Sequence, residues 1–458
     1  MSPRHPKSPG SVPFNHTELI SYFRKIVGGL PDKRAGRHNN KYEMEDIGLA
    51  AFSVFFMQSP SFLDFQRTME ETQSINNART LFSVEDIPSD NHIREMLDPV
   101  SPSNLFPVFY HILRGLEQSD YLEIYRSVND TYLVPLDGVQ YFSSQNIHCE
   151  NCSEKHHTNG EVTYSHSMVT PVIVAPGNKR VIPLPPEFIM PQDGHNKQDC
   201  ELAAGKRLIA QNGQLLHTLG VTILGDDLYC HQPFCELLLE EKLNFIFVCK
   251  PESHTILYQL VEELEGMDAV ESCVVRRKKG KRVQFDTYRF VNKVALRAGA
   301  DALEVNWCEI VTTNEDGKIL YKNTFATNHE LSKDNVVEIV AAGRARWKIE
   351  NENNNTLKTK GYHLEHNFGH GKTFLSMVLA TLNILAFLFH TVLEMIDETF
   401  QELRSKLPSR KTFFDHIRAL TCYVCFASWK DMLIFMLSGL EERHCPPPPG
   451  VCYVADTS

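Results

Sequence analysis

The sequence predicts a mixed α/β fold, in which a sheet is flanked by helices and preceded by a helical domain. Three observations support this prediction. Apolar residues recur at three- and four-residue intervals in the stretches 47–56 and 106–116, which is typical of amphipathic helices. From Tyr132 onward, short runs rich in β-branched and aromatic residues are interrupted by a helical stretch over 198–211, as in layered α/β folds. Between 251 and 330 the pattern is rich in strands, which indicates an inserted β-rich unit.

The individual elements follow in chain order. Ser89 followed by Asp90 is an N-cap signal for a helix that ends at Asp98-Pro99. The run YLVPLDGVQYFSS, which begins at Tyr132, predicts a strand, and the runs over 161–174, 181–184, 220–227 and 245–249 predict others. Helical character returns at 332–335, and we expect the helix to continue through RARWKIENENNNTLK.

These elements predict six segments. They are a disordered tail over 1–13, a helical domain over 14–130, the first part of an α/β core over 131–250, a β-rich insertion over 251–331, the second part of the core over 332–400, and a C-terminal helical segment and tail over 401–458. The helical domain at 14–130 could hold DNA or could be a packed support, and the sequence favours neither.

Composition and charge restrict the class of protein. The chain has 458 residues, of which 42% are hydrophobic and 22% charged, values that are ordinary for a soluble globular protein. The net charge of −11 argues against a surface covered with nucleic-acid-binding charge, although a local basic face would be enough to bind DNA. The first 13 residues contain no apolar run of the secretory type, so the cytosol is the expected compartment.

The most apolar stretch, over 374–393, is about long enough to span a bilayer. Polar residues such as Asn383 and His390 are scattered through it, and a helix that is apolar on nearly every side can also be the buried centre of a soluble domain. We therefore predict a core helix and no contact with a membrane. The 12 cysteines are expected to be mostly reduced and buried in that compartment.

Three acids lie where strands and a helix could bring them together. Asp137 ends the run YLVPLDG, Asp226 ends the run VTILGDD, and Glu350 lies in the predicted helix RWKIENEN. Carboxylates at the ends of adjacent strands, completed by one from a helix, can hold two hard cations and activate a phosphate. The chain has 57 acids, however, and acids at strand ends are commonly only solvated. The residues alone leave both interpretations open.

The motifs around these acids resemble those of a known family. LDGVQYFSS, ILGDDLYCHQPFCELL and GRARWKIENENNNTLKTKGYHLEHNFGHG together are similar to the DDE transposases of bacterial insertion sequences, in the insertion-sequence-four-like group with a β-strand insertion between the second Asp and the Glu. The resemblance covers roughly residues 130–395. It implies an RNase H-like core and maps the catalytic, metal-binding acids onto Asp137, Asp226 and Glu350. Tyr229 fits the aromatic residue of the second motif, D-x-x-Y.

The same resemblance implies what the protein would do and with which partners. It implies two Mg²⁺ or Mn²⁺ ions, cleavage of the ends of a transposable element, and strand transfer into a target. The partner would be double-stranded DNA, bound by a homo-oligomer. The protein would be bacterial and cytoplasmic, and associated with the nucleoid when acting.

Around the glutamate, the family pattern is Tyr, two residues, Arg, three residues, Glu, six residues, Lys. Arg346 and Glu350 fit this pattern, but Gly343 stands at the tyrosine position. Leu357 stands at the lysine position, with Lys358 one residue further on. Arg346 and Glu350 are four residues apart and are expected to share a helix face, where the arginine could hold a phosphate or form a simple surface ion pair. The predicted DNA-binding residues are Arg344, Arg346, Lys348 and Lys358.

A second group of residues could bind a different metal. The four soft ligands in one loop after the first strand are Cys149, Cys152, His156 and His157. Cys-x-x-Cys in a reducing compartment indicates metal or redox chemistry, so these residues predict a structural zinc site. Adjacent histidines rarely bind one ion together, and the alternative is a polar hairpin with free thiols.

Two further polar runs have weaker signals. The run PQDGHNKQDCE over 191–201 contains Asp193, His195, Lys197 and Asp199, which could lie near DNA or support the site. The histidines at positions 363, 366 and 370 could form a metal-binding face, but they lie among glycines, which favours a loop in which they only pack.

Two other functions compete with the transposase. One is a nuclease that cleaves structured DNA or RNA on the same core. The other is a catalytically silent DNA-binding relic of a transposase.

Overall fold

The computed structural model describes residues 14–34, 41–70, 74–191, 199–280 and 282–441. The tail predicted over 1–13 lies outside these ranges, as do Asp193, His195, Lys197 and the residues after 441.

Helices alone make up the regular structure described before residue 131. They are α1 (His16–Gly28), α2 (Met44–Phe56), α3 (Phe62–Glu70), α4 (Ser74–Phe82), α5 (Asp90–Leu97) and α6 (Phe106–Gln118). The signal at Ser89 is confirmed, because its side chain accepts a hydrogen bond from His92 N at the start of α5. At α1, Asn15 and Glu18 exchange side-chain-to-backbone hydrogen bonds, which satisfies two donors that a helix start leaves free.

The strands begin at Tyr132 and are interleaved with helices. They are β1 (Tyr132–Pro135), β2 (Gly138–Ser144), β3 (Ser153–His156), β4 (Val162–Val169), β5 (Val172–Ile173), β6 (Ile182–Pro183), β7 (Glu187–Ile189), β8 (Val221–Gly225), β9 (Asn244–Val248), β10 (Glu271–Lys279), β11 (Arg282–Ala295), β12 (Glu304–Asn314) and β13 (Ile319–Thr327). Three helices lie between them: α7 (Glu201–Leu219), α8 (Gln232–Glu240) and α9 (Thr255–Gly266).

A seven-stranded sheet with the order β1-β8-β9-β13-β12-β11-β10 organises the molecule. β1, β8 and β9 are parallel, and the remaining pairs are antiparallel. The fold is therefore mixed α/β, as the sequence predicts. The strands predicted between 251 and 331 are present as β10–β13, and they extend the sheet through the pairing of β13 with β9.

A second sheet continues from the end of β1. Its strands have the order β2-β4-β3, and β7 also pairs with β4. β2 begins at Gly138, only three residues after β1 ends at Pro135. The segment between the two sheets therefore contains Asp137.

The chain returns to helices after β13. These helices are α10 (Val336–Arg344), α11 (Asn355–Thr359), α12 (Leu375–Ile396), α13 (Glu398–Lys406), α14 (Arg410–Tyr423) and α15 (Trp429–Glu441). α12 is the apolar stretch that is long enough to span a membrane, and 94% of its most apolar window is buried inside the protein.

The polar side chains of α12 are used within the fold. Asn383 Nδ2 donates to Tyr362 O at 2.7 Å, and His390 Nδ1 lies 2.7 Å from the Tyr362 hydroxyl. Phe389 packs against Phe52 of α2, with ring centroids 4.9 Å apart. α12 is thus the core helix that the sequence predicts. It joins the N-terminal helices to the rest of the molecule in one continuous core.

Candidate functional site

Asp137 and Asp226 follow two neighbouring parallel strands in matching register. Pro135 of β1 is paired with Leu224 of β8, and Leu136 N donates to Leu224 O at 2.9 Å. Each aspartate comes two residues after its member of that pair. Because parallel strands end at the same edge of a sheet, the two carboxylates lie next to each other there.

The charges around Asp137 change its acidity. Its pKa is raised to about 6, chiefly because burial penalises the charged form. The negative charges of Glu201, Asp226 and Glu350 raise this pKa further. The positive charge of Arg346 acts in the opposite direction. The three acids predicted from the sequence are therefore close enough to act on one another, together with Arg346.

Glu350 reaches this cluster from a segment that is less regular than predicted. The sequence predicts one helix through Arg346 and Glu350, but α10 ends at Arg344 and a turn follows. Ile349–Asn354 then forms a π-helix, whose hydrogen bonds span five residues instead of four. Wide turns of this kind occur frequently at functional sites. The exposed Glu350 lies at the start of this one.

Asn354, at the end of the π-helix, connects that segment to the first strand. Its Nδ2 donates to Asp137 Oδ2 at 3.2 Å, and its Oδ1 accepts a hydrogen bond from Thr170 Oγ1 at 2.9 Å. Asn354 is buried, and these bonds fix the direction of its amide. The carboxylate of Asp137 is thereby held in one orientation.

Glu201 is a fourth carboxylate of the site, which the sequence analysis missed. It is the first residue of α7, and its Oε1 accepts a hydrogen bond from the Tyr229 hydroxyl at 3.0 Å. Burial raises its pKa, and the charge of Asp226 also raises it. A Cβ at Gly138 would lie 2.3 Å from Glu201 Oε2, so a side chain at this position would displace the carboxylate from its present place.

A signal for Glu201 existed in the motifs themselves. The glycine after Asp137 and the tyrosine three residues after Asp226 both contact this glutamate. The sequence prediction for the run over 191–201 named other polar residues instead. Of these, Asp199 forms an ion pair with Arg207 at 2.7 Å.

The neighbouring Asp227 has a different role from Asp226. Its Oδ1 accepts a hydrogen bond from Lys250 N at 2.7 Å, and its Oδ2 accepts one from Ser253 Oγ. His254 Nε2 is 3.4 Å from the same carboxylate. Asp227 thus organises the loop before α9, and Asp226 is the acid that acts on Asp137.

The four basic residues predicted to bind DNA differ in their surroundings. Arg346 acts on the carboxylates, and Arg344 lies over the ring of Tyr321 at 4.4 Å. Lys358 forms an ion pair with Glu365 at 2.8 Å. Lys348 is buried, and its Nζ donates to Asn178 O at 2.7 Å. This contact uses the Lys348 ammonium within the fold, and its predicted role in DNA binding stays a prediction.

A separate cluster of sulfur and nitrogen ligands forms around Cys149 and Cys152. The other members are His166 of β4 and His370, and the four ligand atoms all lie within 4.8 Å of one another. The prediction of a cluster at these cysteines is confirmed, but the histidines predicted to complete it, His156 and His157, are not its members. His370, which was expected only to pack in a loop, is one of the two histidines of the cluster.

His156 and His157, which were predicted as ligands, lie outside the cluster for a local reason. His156 ends β3, where its side chain is exposed and contacts Glu154 at 3.2 Å. His157 Nε2 lies 2.8 Å from Thr163 Oγ1 in the turn to β4. β4 runs antiparallel to β3, so His166 on β4 returns to the cysteines beside Ser153.

No protein-family model matches this sequence, and no curated protein shows significant similarity to it. The chemistry of the site therefore has to be inferred from its side chains.

Proposed function

We propose that this protein is a DNA transposase of the DDE type, which cleaves the ends of a transposable element and transfers the strands by metal-dependent phosphoryl transfer. The observation that carries the proposal is the matched register of Asp137 and Asp226, with Glu350 and Arg346 close enough for their charges to act on Asp137. The resemblance of the three motifs around these residues to this family also favours it.

The topology supports an RNase H-like core for this function. β1, β8 and β9 form a parallel group, with α7 before β8 and α8 between β8 and β9. The chain that leaves β1 forms the antiparallel group of β2, β4 and β7. Asp137 and Asp226 then stand at the strand ends of the parallel group, where ligands of open α/β sheets commonly bind.

The donor set suits two Mg²⁺ or Mn²⁺ ions. Asp137, Asp226 and Glu350 offer carboxylate oxygens, which these hard cations prefer. Mutual repulsion among the acids contributes to the raised pKa of Asp137, and divalent cations would relieve it. Two such ions, when bound, polarise a phosphate and stabilise the attacking and leaving oxygens.

The remaining side chains would orient the acids and the DNA backbone. The Arg346 guanidinium can hold a phosphate through two parallel hydrogen bonds next to the carboxylates. Asn354 fixes the carboxylate of Asp137, and the Tyr229 hydroxyl fixes that of Glu201. The partners would be the element ends and a target duplex, bound by a homo-oligomer.

The test is cleavage of labelled duplex DNA that carries the sequences flanking the reading frame, in Mg²⁺ or Mn²⁺. We expect nicking at the element ends. Asp226→Asn should reduce its rate by at least about a hundredfold, the scale of losing one group that stabilises a transition state. Asp227→Asn is the matched control, because Asp227 binds the loop before α9 and keeps one acceptor oxygen in this variant. It should retain cleavage.

Three outcomes would reject the proposal. Binding of the ends without cleavage in either metal would favour the catalytically silent relic. Cleavage of RNA, or of DNA without preference for the ends, would favour the nuclease. Equal losses in Asp226→Asn and Asp227→Asn would show that the assignment of Asp226 is wrong.

A further inference from the structure

We infer that Cys149, Cys152, His166 and His370 bind one structural Zn²⁺ ion, at a site separate from the four carboxylates. The two sulfur atoms are 4.0 Å apart, and His166 Nε2 lies 3.5 Å from each of them. His370 Nε2 lies 3.5 Å from Cys152 Sγ.

These distances match the edges of a zinc tetrahedron. With zinc–sulfur bonds of about 2.3 Å and zinc–nitrogen bonds of about 2.0–2.1 Å, tetrahedral angles require sulfur–sulfur edges of about 3.8 Å and sulfur–nitrogen edges of about 3.6 Å. The four separations given above each lie within about 0.2 Å of the corresponding ideal edge. The two remaining edges, from His370 to Cys149 and to His166, are shorter than 4.8 Å.

The ligand chemistry and the burial favour a structural ion over a catalytic one. Two cysteines and two histidines form one of the common ligand sets of structural zinc. Cys152, His166 and His370 are buried, and Cys149 is half-buried. Four protein ligands fill the tetrahedron, so no position remains for a substrate.

The fold brings these ligands together from distant parts of the chain. Cys149 and Cys152 lie in the turn before β3, and His166 lies on the adjacent β4. His370 comes from the segment before α12, 218 residues after Cys152. Asp98 holds that segment, because its carboxylate accepts hydrogen bonds from the backbone of residues 372, 373 and 375. These backbone contacts help to hold His370 beside the two cysteines.

A disulfide between Cys149 and Cys152 explains the cluster less well. It would require the sulfur atoms to approach to about 2 Å, half their present separation. It would also leave His166 and His370 buried beside sulfur atoms that no longer need nitrogen partners. The two histidines have a clear role only when a metal ion is present.

A bound ion would crosslink two distant parts of the chain. Zinc would join the second sheet, whose β2 starts directly after Asp137, to the segment that leads into α12. A crosslink that closes so long a loop stabilises the folded state, because it removes conformational freedom from the unfolded chain.

The test is the metal content of the full-length protein, purified without added zinc and dialysed against Mg²⁺. We expect about one zinc ion per chain, as for a single four-ligand site. Replacement of zinc by Co²⁺ should give the intense visible bands of tetrahedral cobalt and a thiolate charge-transfer band. His166→Gln and His370→Gln should bind zinc at least about tenfold more weakly, since each removes one ligand. His156→Gln is the matched control and should keep the ion.

Several results would overturn the inference. One is a natural protein that holds no zinc, even after refolding with it, or that holds iron instead. Another is a quantitative disulfide between Cys149 and Cys152. A third is equal loss of zinc in His156→Gln and His370→Gln. Should the ligand variants fail to fold, the cobalt spectrum of the unmodified protein still tests the inference, because the absence of tetrahedral bands with two thiolate ligands would contradict it.

Discussion

Opposing effects act on the pKa of Asp137, and their balance determines how the carboxylate site would bind a metal ion. Burial and three neighbouring acids favour its protonated form, whereas Arg346 favours the carboxylate. A divalent ion binds only the deprotonated form, so metal and proton compete for the same oxygen atoms.

The first prediction concerns this competition. Because the pKa of Asp137 in the metal-free protein is about 6, the fraction of carboxylate falls about tenfold between pH 7 and pH 5. We expect the affinity for Mn²⁺, measured by calorimetry, to fall by about the same factor. The number of protons released when Mn²⁺ binds should increase as the pH falls from 7 to 5, because more of the free protein is then protonated at Asp137.

Glu201→Gln provides the comparison. It removes one of the charges that raise the pKa of Asp137, so the loss of affinity should begin at a lower pH than in the natural protein. An affinity that does not change between pH 7 and pH 5 would contradict the prediction, as would identical pH profiles for the two proteins.

At the scale of elements, α10 packs unusually close to the sheet. A Cβ at Gly343 would lie 2.7 Å from Phe325 Cε1 of β13 and 2.9 Å from Ile246 Cγ2 of β9. In this packing there is no room for a larger side chain at position 343. A large side chain at this position would push α10, and with it Arg346, away from the carboxylates.

The second prediction tests this packing. Gly343→Ala should lower the free energy of unfolding by about 1–3 kcal/mol, the usual cost of overpacking a core. Gly439→Ala is the control, because Gly439 lies in α15 with no atom within 4 Å of the added methyl group. That substitution should stabilise the protein by up to about 1 kcal/mol. Urea denaturation measures both values, and similar destabilisation in the two variants would refute the argument.

The elements also show which parts of the structure the sequence could predict. The strands β1 and β8, which Asp137 and Asp226 follow, were predictable, because apolar β-branched runs that stop just before an acid are a local signal. The break after Arg344 and the π-helix were not predictable, since the same residues have a similar propensity for the α-helical and the π-helical geometry. His370 could not be assigned either, because its partners lie more than 200 residues away and depend on tertiary packing.

The whole molecule has one core, which includes the N-terminal helices. Phe52 of α2 packs against Phe389 of α12 and against Phe23 of α1, with ring centroids 4.9 Å and 4.7 Å apart. The predicted boundary at residue 130 coincides with the change from helices to strands, and one apolar cluster extends across it. The two sides should not unfold independently.

The third prediction follows from this shared core. Trp307 in β12 and Trp429 in α15 are buried in different parts of the molecule, so each can report unfolding when it is the only tryptophan left. Their denaturation curves should coincide. Phe52→Ala should shift both by about 3–5 kcal/mol, the cost of a cavity of this size.

Leu63→Ala is the control for that substitution. Leu63 belongs to α3 of the same helical region, but its side chain is 52% exposed, so its removal should change both curves little. Separate transitions for the two tryptophans would show that the helical region is an independent domain.

The π-helix at Ile349–Asn354 also affects the position of Lys358. The resembled motif has its lysine at position 357, one residue earlier. A turn whose hydrogen bonds span five residues holds one residue more than an ordinary helical turn. In a regular α-helix, one inserted residue would rotate everything after it by about 100°. We expect the wide turn to absorb such an insertion, so that Lys358 takes the angular position that residue 357 would have in a regular helix. On this reasoning we propose Lys358, and not Leu357, as the counterpart of the lysine in the resembled motif.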